Sequence, residues 1–179
     1  MNNLFVSVHS DDSVLFGAYT LMREKPLVLT VTSSFIQSNR GENVTAQQRI
    51  QEDIAAMKLL GCPIVFGQLR DDILDSWGVT NLLSKFNNFD RIYIPAVMGG
   101  NPQHDLIGKA ALKLWPKAIQ YTTYAKGEWK SKGKKEILPT KKEIEFKEKA
   151  LKLYKSQLNL PATAPHFEAA RKELSEWLI

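Results

Sequence analysis

Short β-prone runs that alternate with stretches of helical periodicity constrain this chain more than any other feature. Leu4-Phe5-Val6-Ser7-Val8, Leu27-Val28-Leu29-Thr30-Val31-Thr32, Pro63-Ile64-Val65-Phe66 and Arg91-Ile92-Tyr93-Ile94-Pro95 are rich in β-branched and aromatic residues. After the first run, Val14, Gly17, Ala18 and Leu21 recur at helical spacing, and Pro26 closes the segment. After the second comes a polar loop, Ser33 to Asn43. Thr45 with Gln48 then predicts a capping box, Ile50, Ile54 and Met57 an apolar stripe, and Gly61 a stop. Asp71–Phe86 and His104–Trp115 read as further helices, Ala118–Tyr124 as a short strand, and Thr140–Gln157 as one long basic helix. The Lys- and Gly-rich segment Gly127 to Pro139 reads as the most mobile loop. Strands that alternate with helices in this way are joined by crossovers. The predicted fold is therefore α/β: a Rossmann-like, mainly parallel sheet with helices on both faces.

A chain of 179 residues, 44% of them hydrophobic, suits one sizeable core, and no repeat or linker divides it, so residues 1–179 are expected to form a single domain. There is no run of about 18 apolar residues and no signal-peptide pattern at the start, which predicts a cytoplasmic protein without a membrane span. Cys62 is the only cysteine, so any metal must be held by His and carboxylate. The net charge of +5 is regional: residues 117–155 hold twelve Lys against five Glu. A Lys-rich stretch of helical period is most often a solvated face, which disfavours nucleic acid as a partner.

His9-Ser10-Asp11-Asp12 falls directly after the first strand, at the sheet edge where ligands gather in open parallel folds. The four residues supply a nitrogen ligand, an oxygen ligand and a spare carboxylate. An Asp pair before a helix is also an ordinary N-cap. His104 lies at the equivalent junction after the strand that ends at Pro95, so two of the three histidines emerge on the same edge if both strands are parallel. His, Asp and His with one open position is the usual arrangement of a catalytic zinc.

His9-Ser10-Asp11-Asp12-Ser13 resembles the H-P-D-D-E motif of the LmbE-like (GlcNAc-PI de-N-acetylase, PIG-L) deacetylases. Arg49-x-x-Glu52 with Gly61 resembles their R-x-x-E helix, Asn101-Pro102-Gln103-His104 with Gly108 their H-P-D-H-x-x-x-G segment, and Tyr154-x-Ser156-Gln157 their Y-x-S-Q tail. The resemblance implies an LmbE-like fold and one Zn2+ per chain, held by His9, Asp12 and His104. It implies Asp11 as the general base that activates water at the metal, and Arg49 on the substrate side of the pocket. Asn39, Arg40 and Glu42, in the loop after the second strand, are candidate contacts for sugar hydroxyls, and Asn101 for an oxyanion. Arg49 and Glu52 also have the spacing of a purely structural ion pair.

Three departures bear on catalysis. Ser13 stands where the family has Glu, Asn101 where it has His, and Gln103 where it has Asp; Ser10 in place of Pro is milder. His166, the remaining imidazole, reads as a surface residue, with a substitute acid as the alternative. The leading expectation is a zinc-dependent hydrolase removing an N-acyl group, acetyl foremost, from an amino sugar or glycoconjugate. The alternative is a catalytically weakened relative that binds a sugar or metal without efficient turnover. A polyanion binder comes third, and homo-oligomerisation stays open.

Overall fold

Every residue of β1 (Asn3–Ser7) is buried, as befits a strand with neighbours on both sides and helices over both faces. The computed structural model describes residues 2–33, 44–126, 132–172 and 175–179. In chain order the elements after β1 are α1 (Asp12–Glu24), β2 (Leu27–Thr32), α2 (Ala46–Leu60), β3 (Ile64–Leu69), α3 (Ser76–Leu83), β4 (Arg91–Pro95) and α4 (Pro102–Leu114). They continue with β5 (Ile119–Tyr121), β6 (Lys135–Ile137), α5 (Lys141–Leu151), α6 (Lys155–Leu158), α7 (Ala164–Lys172) and β7 (Glu176–Leu178). The sheet order is β3-β2-β1-β4-β5-β7-β6. The first five strands pair parallel, and β7 and β6 add an antiparallel edge.

Side chains alternate across this sheet with period two and feed two cores. Phe5, Val28, Tyr93 and Tyr121 pack with α1, α2, α5 and α7 on one face. Leu4, Val6, Leu29, Val31 and Ile94 pack with α3 and α4 on the other. The predicted mainly parallel α/β architecture is thus the observed one. No helix among the described residues is long and apolar enough to cross a membrane.

Several elements differ from the sequence reading. The stripe read on α2 is wrong at Ile54, which is 37% exposed, whereas Asp53 is buried. The polar residue faces inward because Thr30 Oγ1 and the Tyr154 hydroxyl both donate to its carboxyl, at 2.8 Å each. Thr45 does cap α2 by accepting from the Gln48 backbone N–H at 3.1 Å, but the Gln48 side chain turns to Glu52, so the box is half made. A complete capping box begins α5, between Thr140 and Glu143. The helix expected from Asp71 starts only at Ser76, where Asp75 accepts from the Gly78 N–H. The long basic helix divides into α5 and α6, because Glu52 accepts from the backbone N–H and hydroxyl of Ser156 at 2.8 and 2.5 Å and holds the start of α6 in place. The segment read as a mobile loop contains β6, whose three residues pair with β7.

Candidate metal centre

In the order β3-β2-β1-β4-β5 the chain winds outward in opposite directions from β1 and β4, and the crevice at their carboxyl ends is the switch point where such folds bind ligands. Two loops open into it. One joins β1 to α1 and carries His9, Ser10 and Asp11; the other joins β4 to α4 and carries Gly99 to Asn101. Gly108 lets α4 come down onto β4, since a Cβ there would lie 2.6 Å from the Pro95 carbonyl oxygen. Asn101 caps α4, its Oδ1 accepting from the N–H groups of Gln103 at 2.9 Å and His104 at 3.4 Å. His104 is thereby set in the first turn of α4, buried against Phe16 and Tyr124 with ring centroids 6.3 and 5.1 Å away.

The parallel pairing of β1 and β4 brings His9, Asp12 and His104 together, with one ligand atom of each within 4.8 Å of the others. Asp12 Oδ2 is the focus. It accepts from the His9 backbone N–H at 2.8 Å, and His9 Nδ1 and His104 Nε2 stand 3.0 and 3.1 Å from it. Burial alone would raise the Asp12 pKa, but the His104 and His9 imidazoles hold the carboxyl well below its ordinary value. Burial disfavours the charged form of His9, yet the Asp12 carboxylate outweighs it and the imidazole pKa is raised.

The trio suits a cation on chemical grounds. Asp12 Oδ1 and His104 Nδ1 are buried with no hydrogen-bond partner among the described residues, and His104 Nε2, although close to Asp12 Oδ2, makes no well-aligned hydrogen bond. A buried orphan of this kind costs about 1–3 kcal/mol. Two nitrogens and a carboxylate around one point are also the donor set that zinc takes in catalytic sites, with a fourth position open.

Asp11 occupies the N-cap of α1 without a side-chain capping bond, so the capping reading of the Asp pair fails. Its Oδ1 lies instead 3.5 Å from Arg49 Nη2. Burial and the neighbouring Asp12 carboxylate raise the Asp11 pKa, with Arg49 and His9 acting the other way. Arg49 therefore does not pair with Glu52, which serves Ser156; the structural pair that was the alternative reading is not formed because each partner has another use across the fold.

His9, Asp11 and Arg49 line a cleft of about 430 Å³ together with Asn101, Gln103, Tyr124, Gln157, Thr163 and His166. His166 is not the surface residue expected: it stands in the cleft wall, packed edge-on to Tyr124 at 5.1 Å, and burial lowers its pKa. Asp71 was also missed, although it lies just past the end of β3, and the rule that found His9 and His104 applied to it equally. Asn39, Arg40 and Glu42 lie outside the described residues.

No protein-family model and no curated protein sequence matches the chain. Solved structures do. The conserved protein TT1542 from Thermus thermophilus superposes with a TM-score of 0.74 at 18% identity, covering 100% of this chain and 94% of that one. The zinc-inhibited form of teicoplanin deacetylase Orf2 gives 0.70 at 16% identity, with 99% and 97% covered. GalB, the 4-carboxy-2-hydroxymuconate hydratase from Pseudomonas putida KT2440, gives 0.69 at 14% identity, with 99% and 95% covered. A deacetylase and a hydratase thus share one architecture, which shows how little a fold alone says of chemistry. What these superpositions establish is that the chain has the LmbE-like α/β fold.

Proposed function

We propose that the chain is a zinc-dependent amide hydrolase that removes an N-acyl group, acetyl foremost, from an amino sugar or glycoconjugate. The convergence of His9, Asp12 and His104 at the switch point, with Asp11 beside them in a polar cleft, carries this reading. The fold shared with the teicoplanin deacetylase supports it. Zinc held by the trio would supply a Lewis acid and bring water close to ionisation at neutral pH.

The chain's own groups do the rest. Asp11, its pKa raised and its carboxyl facing the cleft, accepts the proton of the attacking water and returns it to the departing amine. Arg49, 3.5 Å away, acts against burial and the Asp12 charge and so favours the ionised carboxylate that can accept a proton. Asn101 commits its Oδ1 to the helix cap, so the amide group it can offer the developing oxyanion is the donor Nδ2. Asp71, Gln157 and Thr163 supply hydrogen-bonding groups along the cleft, which suits a hydroxyl-rich substrate.

Metal analysis with an acetate-release screen over N-acetylated amino sugars tests the reading. Stoichiometric zinc and release abolished by chelation are expected; a purified protein that takes up no zinc refutes it. One observation favours the weaker alternative, a sugar or metal binder without efficient turnover. Asn101 and Gln103 are neutral amides, and both are already engaged in hydrogen bonds. Zinc binding without hydrolysis of any amide in the panel would select it.

A further inference from the structure

Gln103 has no role in the chemistry above, yet it makes two hydrogen bonds whose combination decides the state of His9. Its Nε2 donates to the Asp71 backbone carbonyl at 2.6 Å, and its Oε1 lies 2.8 Å from His9 Nε2. The first contact fixes the amide. A carbonyl oxygen only accepts, so the group facing Asp71 must be the NH2, and the one facing His9 must be the oxygen. An amide oxygen in turn only accepts. His9 Nε2 must therefore carry a proton and is committed to Gln103, which leaves Nδ1, 3.0 Å from Asp12 Oδ2, as the ring nitrogen that faces the cation site.

We propose that Gln103 is a positioning residue that holds His9 as the Nε2–H tautomer and so presents Nδ1, in fixed orientation, as the ring's ligand atom for a divalent metal. This rests on the metal reading above and extends it to a residue that no motif assigns to the metal. The chain of contacts runs from the backbone of the β3–α3 segment through Gln103 to His9. The loop after β3 thereby governs a ligand on the loop after β1. An amide suits the position because one face must donate to Asp71 while the other accepts from His9, which neither a carboxylate nor a second imidazole does in one fixed form.

The test separates orientation from mere packing. Gln103→Leu keeps the volume and removes the acceptor; Gln103→Glu keeps an acceptor for the Nε2–H and removes the donor to Asp71. Zinc affinity, measured by competition with a chromophoric chelator, is expected to fall about 10–100-fold in Gln103→Leu and by clearly less in Gln103→Glu, which keeps the acceptor and loses only its anchor on Asp71. Nitrogen–proton correlation spectra of zinc-loaded, histidine-labelled protein should show His9 protonated at Nε2 in the parent, with Nδ1 the unprotonated nitrogen, and loss of that single form in Gln103→Leu. His9 protonated at Nδ1 in the zinc-loaded parent overturns the proposal, as does equal loss of zinc in both variants, which would leave the acceptor facing Nε2 without effect. A parent protein that takes no zinc would remove the metal reading; a slowly exchanging His9 Nε2–H in that parent, lost in Gln103→Leu, would still support the role of Gln103, and its absence would refute it.

Discussion

Asp11 and Asp12 are adjacent in sequence and opposite in character, and the difference comes from where each carboxyl points. Asp12 faces two imidazoles and stays ionised, whereas Asp11 faces the cleft with a raised pKa. Asp11→Asn should therefore leave zinc stoichiometry unchanged and lower the rate of amide hydrolysis by about 10²–10⁴-fold. Zinc content and acetate release measured on one preparation check both halves. Asp53 poses the reverse problem. It is fully buried, and burial pushes its carboxyl up to about 8 despite the Thr30 and Tyr154 hydroxyls that donate to it. A raised folded pKa means that the stability tied to the protonated form is complete below the unfolded value of about 3.9 and is lost as pH climbs towards about 8, by up to about 1.4 kcal/mol per pH unit. Asp53→Asn imitates the protonated acid. Urea titrations across that window should show a flatter stability profile in the variant and a more stable variant above the upper limit. The meeting of His9 and His104 was legible in sequence because each follows a strand and precedes a helix, whereas the choice of Asp12 as their partner came from the family resemblance. Asp53 was not legible, since hydrophobic periodicity does not register that Thr30 on β2 and Tyr154 before α6 would satisfy a carboxyl turned inward.

The element that matters most to the site is the first turn of α4, where one residue serves two purposes. Asn101 caps the helix through Oδ1, and the same side chain lines the cleft. Asn101→Ala removes both functions and should lower stability by about 0.5–2 kcal/mol. Asn101→Asp keeps the cap acceptor, loses the amide donor and adds a negative charge at the cleft. If that donor meets the oxyanion, the Asp variant should melt near the parent temperature and lose about 10²–10³-fold in kcat. Equal activity in parent and Asp variant would reduce Asn101 to a cap. Element ends were readable from sequence where capping chemistry marked them, as at Thr45 and Gly61, even though the apolar period between them misplaced Ile54. They were unreadable where tertiary contacts overrode propensity. The basic run from Thr140 looks continuous, and only the grip of Glu52 on Ser156 shows why it breaks. β6 is three residues long, Lys-Glu-Ile, and has no pattern to read until β7 lies beside it.

Across the whole molecule, α1 is held by a buried ion pair drawn from the last third of the chain. Glu176 on β7 accepts from the Tyr19 N–H at 3.0 Å and the Thr20 N–H at 3.3 Å, and Lys147 on α5 donates to the Leu15 carbonyl at 3.1 Å. In an α-helix the Leu15 carbonyl is the partner of the Tyr19 N–H, so the pair engages both ends of one helical rung. Lys147 Nζ also stands 3.4 Å from Glu176 and 4.7 Å from the centroid of the Tyr19 ring. Both side chains are at most 3% exposed, so neither charge can turn to water if its partner is removed. Glu176→Gln or Lys147→Met alone should therefore destabilise the fold by about 3–5 kcal/mol, the cost of removing one member of a buried ion pair. The double variant removes both charges, and its loss should be well below the sum of the two, because an apolar replacement of a buried pair is often close to neutral. A double-mutant cycle in urea measures the coupling directly. Losses that simply add would show that the two residues act on α1 independently, through their separate bonds to Tyr19 and Leu15. A large coupling would show that the antiparallel edge and α5 hold, as one unit, the helix that begins at Asp12.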